Sequence, residues 1–215
     1  PKHIPIGDNE YIVRVVCGAD HSMALALSGV LWAWGLNSDG QCGVGTSADV
    51  LSPTPVKMPA AARGGQVLVG HLALGAKHSI MVGAGQAAGK VYVWGCNELG
   101  RLGLGSSREE KPFETHPVLL ESLMVTKAST ASAGEAHSGV LDVHGNLWMW
   151  GQGSYGRLGT GELTDLPTPR YISMPEESRV LQVALGSFHS VVLCGTARRQ
   201  QLFSWGYGDA LGNRP

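Results

Sequence analysis

GNLWMWGQGSYGRLGTG, residues 145–161, sets two tryptophans ahead of a run of glycines. Alone, it looks like a loop that cradles a phosphate. Three relatives in the same chain change that reading. Trp32-Ala33-Trp34-Gly35 precedes LNSDGQCGVG, and Tyr92-Val93-Trp94-Gly95 precedes CNELGRLGLG. Trp148-Met149-Trp150-Gly151 precedes QGSYGRLGTG, and Phe203-Ser204-Trp205-Gly206 precedes YGDALGNRP. All six tryptophans lie in this motif. A catalytic loop is needed once, whereas a feature built four times reads as architecture. The G-x-x-G-x-G glycines then answer a need for positive φ and close backbone approach. The lysine of a phosphate-binding P-loop is missing.

A second motif, G-x-x-H-S, precedes each copy of the first. It spans Gly18 to His21-Ser22, Gly75 to His78-Ser79, Gly134 to His137-Ser138 and Gly186 to His189-Ser190. Successive histidines are 57, 59 and 52 residues apart, and the glycines Gly35, Gly95, Gly151 and Gly206 are 60, 56 and 55 apart. Two motifs therefore recur in step. Each unit reads as a β-rich run ending at the first glycine, a run after His-Ser, an aromatic strand, the glycine loop, and a proline-marked segment leading to a fourth strand. Runs this short, bounded by Gly, Pro, Asn and Asp, are strands and not helices. Repeat cores fall at about 11–52, 66–116, 124–168 and 179–213.

Side-chain parity supports stacked sheets. Trp32 and Trp34 share one strand face, and Ala33 takes the other. The strand after His21-Ser22 is apolar or small on both faces. A sheet apolar on both faces must be covered on both, as consecutive propeller blades are. The expected fold is all-β: a β-propeller of four-stranded antiparallel blades, about four of them, forming part of a ring.

These paired motifs resemble the regulator of chromosome condensation repeat family. The second copy, GAKHSIMV followed by VYVWGCNELGRLGLG, carries the likeness most clearly, and it extends over residues 11–213. Members form seven-bladed propellers, so the resemblance implies about four of seven blades. It also implies protein partners, and for the founding activity a Ran-type small GTPase undergoing nucleotide exchange. Exchange of that kind uses a protruding wedge. The connections between the glycine loops and the next G-x-x-H-S are 30, 29 and 25 residues, too uniform to contain one. Light-sensing members carry tryptophan in a Gly-Trp-Arg-His-Thr variant. Here the intervening pairs are Ala-Asp, Ala-Lys, Glu-Ala and Ser-Phe, so that likeness does not extend to light sensing.

Composition narrows the rest. With 15% charged residues and a net charge of −1, the chain lacks the basic footprint of nucleic-acid binding. No apolar run is long enough to span a bilayer as a helix. Cys17, Cys42, Cys96 and Cys194 are scattered, which points to free buried thiols in a reducing intracellular compartment and away from a metal centre. No cofactor is expected. Each His-Ser pair suggests a base and a nucleophile, but neighbours on a strand face opposite ways and no acid recurs beside them. The expected role is hydrogen bonding to loop backbone within each blade, and no catalytic residue is assigned.

Interaction should lie where the copies differ. From His to the second aromatic the spacing is 13, 16, 13 and 16 residues, so copies two and four have longer hairpins, 83–90 and 195–201. They supply Gln86 and Lys90, and Arg198 and Arg199. A charged loop supplies Arg108, Glu109, Glu110 and Lys111. The expected function is a protein-interaction scaffold within a larger protein or assembly, with guanine-nucleotide exchange as the alternative.

Overall fold

The structure is a computed structural model, and it describes residues 1–7, 10–61, 64–105, 112–175, 178–196 and 199–212. Among these residues fifteen strands form four antiparallel sheets in strict chain order. The first contains β1 (Ile12–Cys17), β2 (His21–Ala26), β3 (Leu31–Gly35) and β4 (Val50–Pro55). The second contains β5 (Leu68–Leu74), β6 (His78–Ala84), β7 (Val91–Cys96) and β8 (Phe113–Leu119). The third contains β9 (Ala128–Ala133), β10 (His137–Asp142), β11 (Leu147–Gly151) and β12 (Leu166–Ile172). The fourth has three strands, β13 (Arg179–Leu185), β14 (His189–Gly195) and β15 (Gln200–Gly206). Helical structure among the described residues is limited to single 3-10 turns. This is the all-β propeller architecture, four blades forming part of a ring.

The first strands line the centre, where bonds pass from blade to blade. Arg14 Nη1 donates to Gly70 O at 3.0 Å, Ala131 N to His71 Nδ1 at 3.3 Å, and Leu185 N to Ser132 Oγ at 3.1 Å. The fourth strands are the outer edges. There the sequence expectation needs correction: Pro53, Pro55, Pro117, Pro167 and Pro169 lie inside β4, β8 and β12, not ahead of them. An outermost strand has one side without ladder bonds, so a residue lacking N–H fits there.

Register explains why the two motifs travel together. Ser22 pairs with Trp34, Ser79 with Trp94, Ser138 with Trp150 and Ser190 with Trp205. Each serine and second aromatic therefore project from the same face, toward the preceding blade. The histidine, one residue earlier, projects toward the following blade. The core consequently lies between sheets. Met23, Leu31 and Ala33 of the first blade belong to one cluster with Leu72, Met81, Tyr92 and Trp94 of the second. Ile80, Val82 and Val93 join Val140, Met149 and Trp150, and that cluster continues to Val180 and Val192. Trp94 and Trp150 are fully buried. Cys42, Cys96 and Cys194 are buried, whereas Cys17 is exposed, because it ends β1 on the uncovered face of the first blade.

Candidate functional site

Three junctions between blades repeat one arrangement. His21 Nε2 lies 3.0 Å from Ser79 Oγ, His78 Nε2 2.8 Å from Ser138 Oγ, and His137 Nε2 3.1 Å from Ser190 Oγ. The bonds run to the next blade, where the sequence suggested contacts inside one blade. Strand alternation turns each His away from its own Ser, and stacking brings the neighbour's Ser against it.

The direction of these bonds follows from counting protons. A serine hydroxyl has one hydrogen. Ser79 Oγ donates it to Gln41 O at 2.9 Å, Ser138 Oγ to Arg101 O at 2.7 Å, and Ser190 Oγ to Arg157 O at 2.7 Å. The histidine must therefore be the donor through Nε2–H. Nδ1 is left with its lone pair, and in His21, His78 and His137 it has no partner. Burial, the largest influence on each ring, disfavours the imidazolium. It lowers His21 to about 4, partly offset by Asp20, and lowers His137 to about 3 with Arg157 adding to the effect. His78 lies well below its usual value through burial, Arg101 and the two neighbouring histidines. A nucleophile–base pair needs the hydroxyl proton to point at the imidazole. Here it points away, so these three pairs are not set up for nucleophilic catalysis.

Each accepting carbonyl also receives an indole. Trp94 Nε1, Trp150 Nε1 and Trp205 Nε1 donate to Gln41 O, Arg101 O and Arg157 O, each at 2.9 Å. The carbonyls sit in the G-x-x-G-x-G loops, inside Gly40 to Gly43, Gly100 to Gly103 and Gly156 to Gly159. The middle glycine runs beneath the indole at positive φ: a Cβ on Gly43 or Gly103 would stand 2.8 Å from the Nε1 above it. Sequence reading missed Gln41, Arg101 and Arg157 as junction residues because they contribute a main-chain oxygen, which leaves the side chain free to vary. The remaining motif residues sit where these junctions would continue: Ser22 and Trp34 on the outward face of the first blade, His189 on that of the fourth. Ser22 Oγ turns instead to Cys17 Sγ at 3.7 Å. Of the aromatics one step earlier, Tyr92, Trp148 and Phe203 pack into the cores between blades, while Trp32 lies on the outward face of the first blade beside Gly7. Trp148 meets Tyr171 edge-on at 5.8 Å. Gly35, Gly95, Gly151 and Gly206 each pair with their blade's His across the hairpin.

The longer hairpins are present. Between β6 and β7 a 3-10 turn, Gly85–Ala87, buries Ala87 and exposes Gln86, with Lys90 half-buried. Gln86 and Lys90 line a shallow cleft with Pro59, Ala61 and Tyr92. Arg199 is exposed beside Thr196, whose N–H donates to Arg199 O at 2.9 Å. Arg108, Glu109, Glu110, Lys111 and Arg198 lie outside the described residues. The hairpins leave the sheets at the end opposite the G-x-x-H turns.

At the G-x-x-H end lies a feature that sequence reading did not single out. Tyr155, Phe188 and Tyr207 form an edge-to-face cluster, with centroids 5.8, 5.2 and 6.4 Å apart. They remain 54%, 41% and 45% exposed. Arg157 Cζ lies 5.6 Å from the Tyr155 ring and 5.1 Å from that of Phe188. Among the described residues no group of three or more His, Cys, Asp or Glu is placed to hold a metal, and no helix is long and apolar enough to cross a membrane.

Comparison with known proteins agrees with this architecture. A family model for the regulator of chromosome condensation (RCC1) repeat matches residues 28–82, 88–141 and 144–193, and a second model of that repeat matches 12–41. Human E3 ubiquitin-protein ligase HERC2 is 32% identical over 92% of the chain, which spans 4% of that protein. The Ultraviolet-B receptor UVR8 of Arabidopsis thaliana is 31% identical over 89% of the chain, which spans 41% of it. The crystal structure of human WBSCR16 superposes with a TM-score of 0.78 at 28% identity, covering 95% of the chain and 50% of WBSCR16. Yeast RCC1 (Prp20), solved bound to Kap60, shares the fold with a TM-score of 0.76 at 24% identity, over 96% of the chain and 46% of Prp20. The chain thus spans half or less of each of these proteins. Each full family match starts at a β2–β3-type hairpin and ends in the His-Ser strand of the next blade, so one sequence unit contains the loop carbonyl and the serine of a junction, and the histidine comes from the unit before it. On the family models and on this recurring junction, the chain belongs to the regulator of chromosome condensation (RCC1) repeat family.

Proposed function

We propose that this chain is an interaction scaffold, a segment of propeller that holds partner-binding loops rigidly within a longer polypeptide or an assembly. The observation carrying this reading is the fate of the repeated polar residues. Every His, Ser and second Trp at the three junctions is consumed by blade-to-blade bonding, and the catalytic elements of a hydrolase are not assembled from them. What differs between copies lies in connections at the sheet ends, which is where a rigid scaffold presents binding residues. The tested prediction concerns the full-length protein in its native cell extract. Crosslinking mass spectrometry should recover stable protein partners bridged to residues of the sheet-end loops, including Lys90. Recovery of no reproducible partner would count against the scaffold. Stimulated nucleotide release from a Ran-type GTPase by the full-length protein would favour exchange instead.

A further inference from the structure

Two copies of the glycine loop carry the same arginine in different company. Asn97-Glu98-Leu99-Gly100-Arg101 in the second blade corresponds to Gly153-Ser154-Tyr155-Gly156-Arg157 in the third. The arginines are held alike. Arg101 Nε donates to Glu98 O at 2.9 Å, and Arg157 Nε to Ser154 O at 3.0 Å. Their Nη1 atoms reach the next blade's turn, at Glu135 O (3.5 Å) and Ser187 O (2.9 Å). The difference is at Nη2. Arg101 Nη2 faces the Glu98 carboxylate at 3.6 Å. In the third blade Ser154 is too short to play that part, and the fully buried Arg157 is left with Nη2 unpartnered. Glu135 and Asp165 are the nearby acids. The first is exposed on the cleft wall, the second accepts the Gly153 N–H at 2.8 Å, and neither pairs with Nη2. A buried guanidinium short of one acceptor is a strong attractor for a carboxylate. The cation–π contacts of Tyr155 and Phe188 offset part of its burial without supplying that acceptor.

The surroundings favour a protein ligand. Ser154, Tyr155, Arg157 and Phe188 line one cleft of about 440 Å³. Tyr155, Phe188 and Tyr207 present half-exposed rings beside it, a composition common at interface centres. Tyr155 is also held at φ +62°, a left-handed conformation that its side chain disfavours, and its ring lines the cleft. We propose that the third–fourth blade junction docks a protein segment offering a Glu or Asp carboxylate to Arg157 Nη2, as Glu98 does for Arg101, and an adjacent apolar side chain to Tyr155, Phe188 and Tyr207. This rests on the scaffold reading and names the partner chemistry of one of its surfaces.

The test uses the full-length protein and fluorescein-labelled peptides with a central Leu-Glu-Leu, its Leu-Gln-Leu counterpart and a phosphoserine counterpart, read by fluorescence anisotropy. The Glu peptide should bind at least tenfold more tightly than the Gln peptide. Ser154→Glu, which supplies the carboxylate from within the chain, should weaken it at least tenfold. Tyr155→Ala should weaken binding several-fold. Equal binding of the Glu and Gln peptides, binding of neither, or indifference to Ser154→Glu would overturn the assignment. Tenfold preference for the phosphoserine peptide would overturn it in favour of a phosphate ligand. Partners crosslinked at the 85–90 hairpin would leave the scaffold reading standing in any of those events.

Discussion

His78 Nε2 and Ser138 Oγ, 60 residues apart in sequence, stand 2.8 Å from each other across two blades, and the bond points from the imidazole to the hydroxyl. The hydroxyl passes its own proton to Arg101 O, so each junction is a short donor chain ending on a loop carbonyl that Trp150 also bonds. Removing its middle member leaves the Nε2–H of His78 buried with no acceptor. Ser138→Ala should therefore destabilise the fold by about 1–3 kcal/mol, the cost of one unsatisfied buried donor. Ser28→Ala, an exposed serine bonded to Glu10, should stay within about 0.5 kcal/mol. Urea denaturation of the two variants measures the contrast.

The same chains make stability pH-dependent. A histidine held neutral in the fold binds its proton in the unfolded chain first, so the unfolded state gains protons as pH falls below about 6.5. The contribution is fully present above that value. It is lost progressively down to about 4 for His21 and about 3 for His137, with His78 acting in the same direction. For His21 alone the full loss is on the order of 3 kcal/mol. Denaturation midpoints should fall steadily from pH 7 to 4.5. His78→Gln, whose amide still donates but does not titrate there, should flatten the slope. A pH-independent midpoint would show that these rings are not buried neutral.

The two aromatic positions of W-x-W-G should behave differently despite their shared strand face. Trp150 Nε1 donates to Arg101 O, while Trp148 Nε1 is buried without a partner. Trp150→Phe should cost about 1–3 kcal/mol, since it empties both a hydrogen bond and part of the junction. Trp148→Phe removes an N–H that has no partner and keeps the ring against Tyr171, so it should cost less. Thermal unfolding of both variants decides the order.

Much of this architecture was legible in sequence because it repeats. The in-step spacing of G-x-x-H-S and W-x-W-G placed the blades, and strand parity placed Trp32 with Trp34. Parity alone did not reveal that His21 would meet Ser79, because the partner lies one blade away and nothing local marks it. Gln41, Arg101 and Arg157 were hidden for another reason: a carbonyl has no sequence signature. The prolines of β4, β8 and β12 were read as marking a segment ahead of the fourth strand, since their place on outer edges depends on sheet order. The aromatic cluster at Tyr155, Phe188 and Tyr207 escaped notice because its members come from three connections and only meet when the third and fourth blades stack.

The glycine loops offer a sharper test of the claim that they serve blade packing. Gly103 and Gly161 belong to equivalent G-x-x-G-x-G loops and have similar dihedrals, φ +74° and +82°. Their surroundings differ. A Cβ on Gly103 would stand 2.8 Å from Trp150 Nε1 and 2.9 Å from its Cδ1, and the indole, fully buried and bonded to Arg101 O, has nowhere to retreat. A Cβ on Gly161 would meet nothing within 4 Å. Gly161→Ala should therefore cost only the strain of a left-handed alanine, about 1–2 kcal/mol. Gly103→Ala adds overpacking against a fixed ring and should cost about 3 kcal/mol or more. Equal losses in a denaturant titration would mean that backbone conformation alone, and not the approach of the next blade, requires the middle glycine.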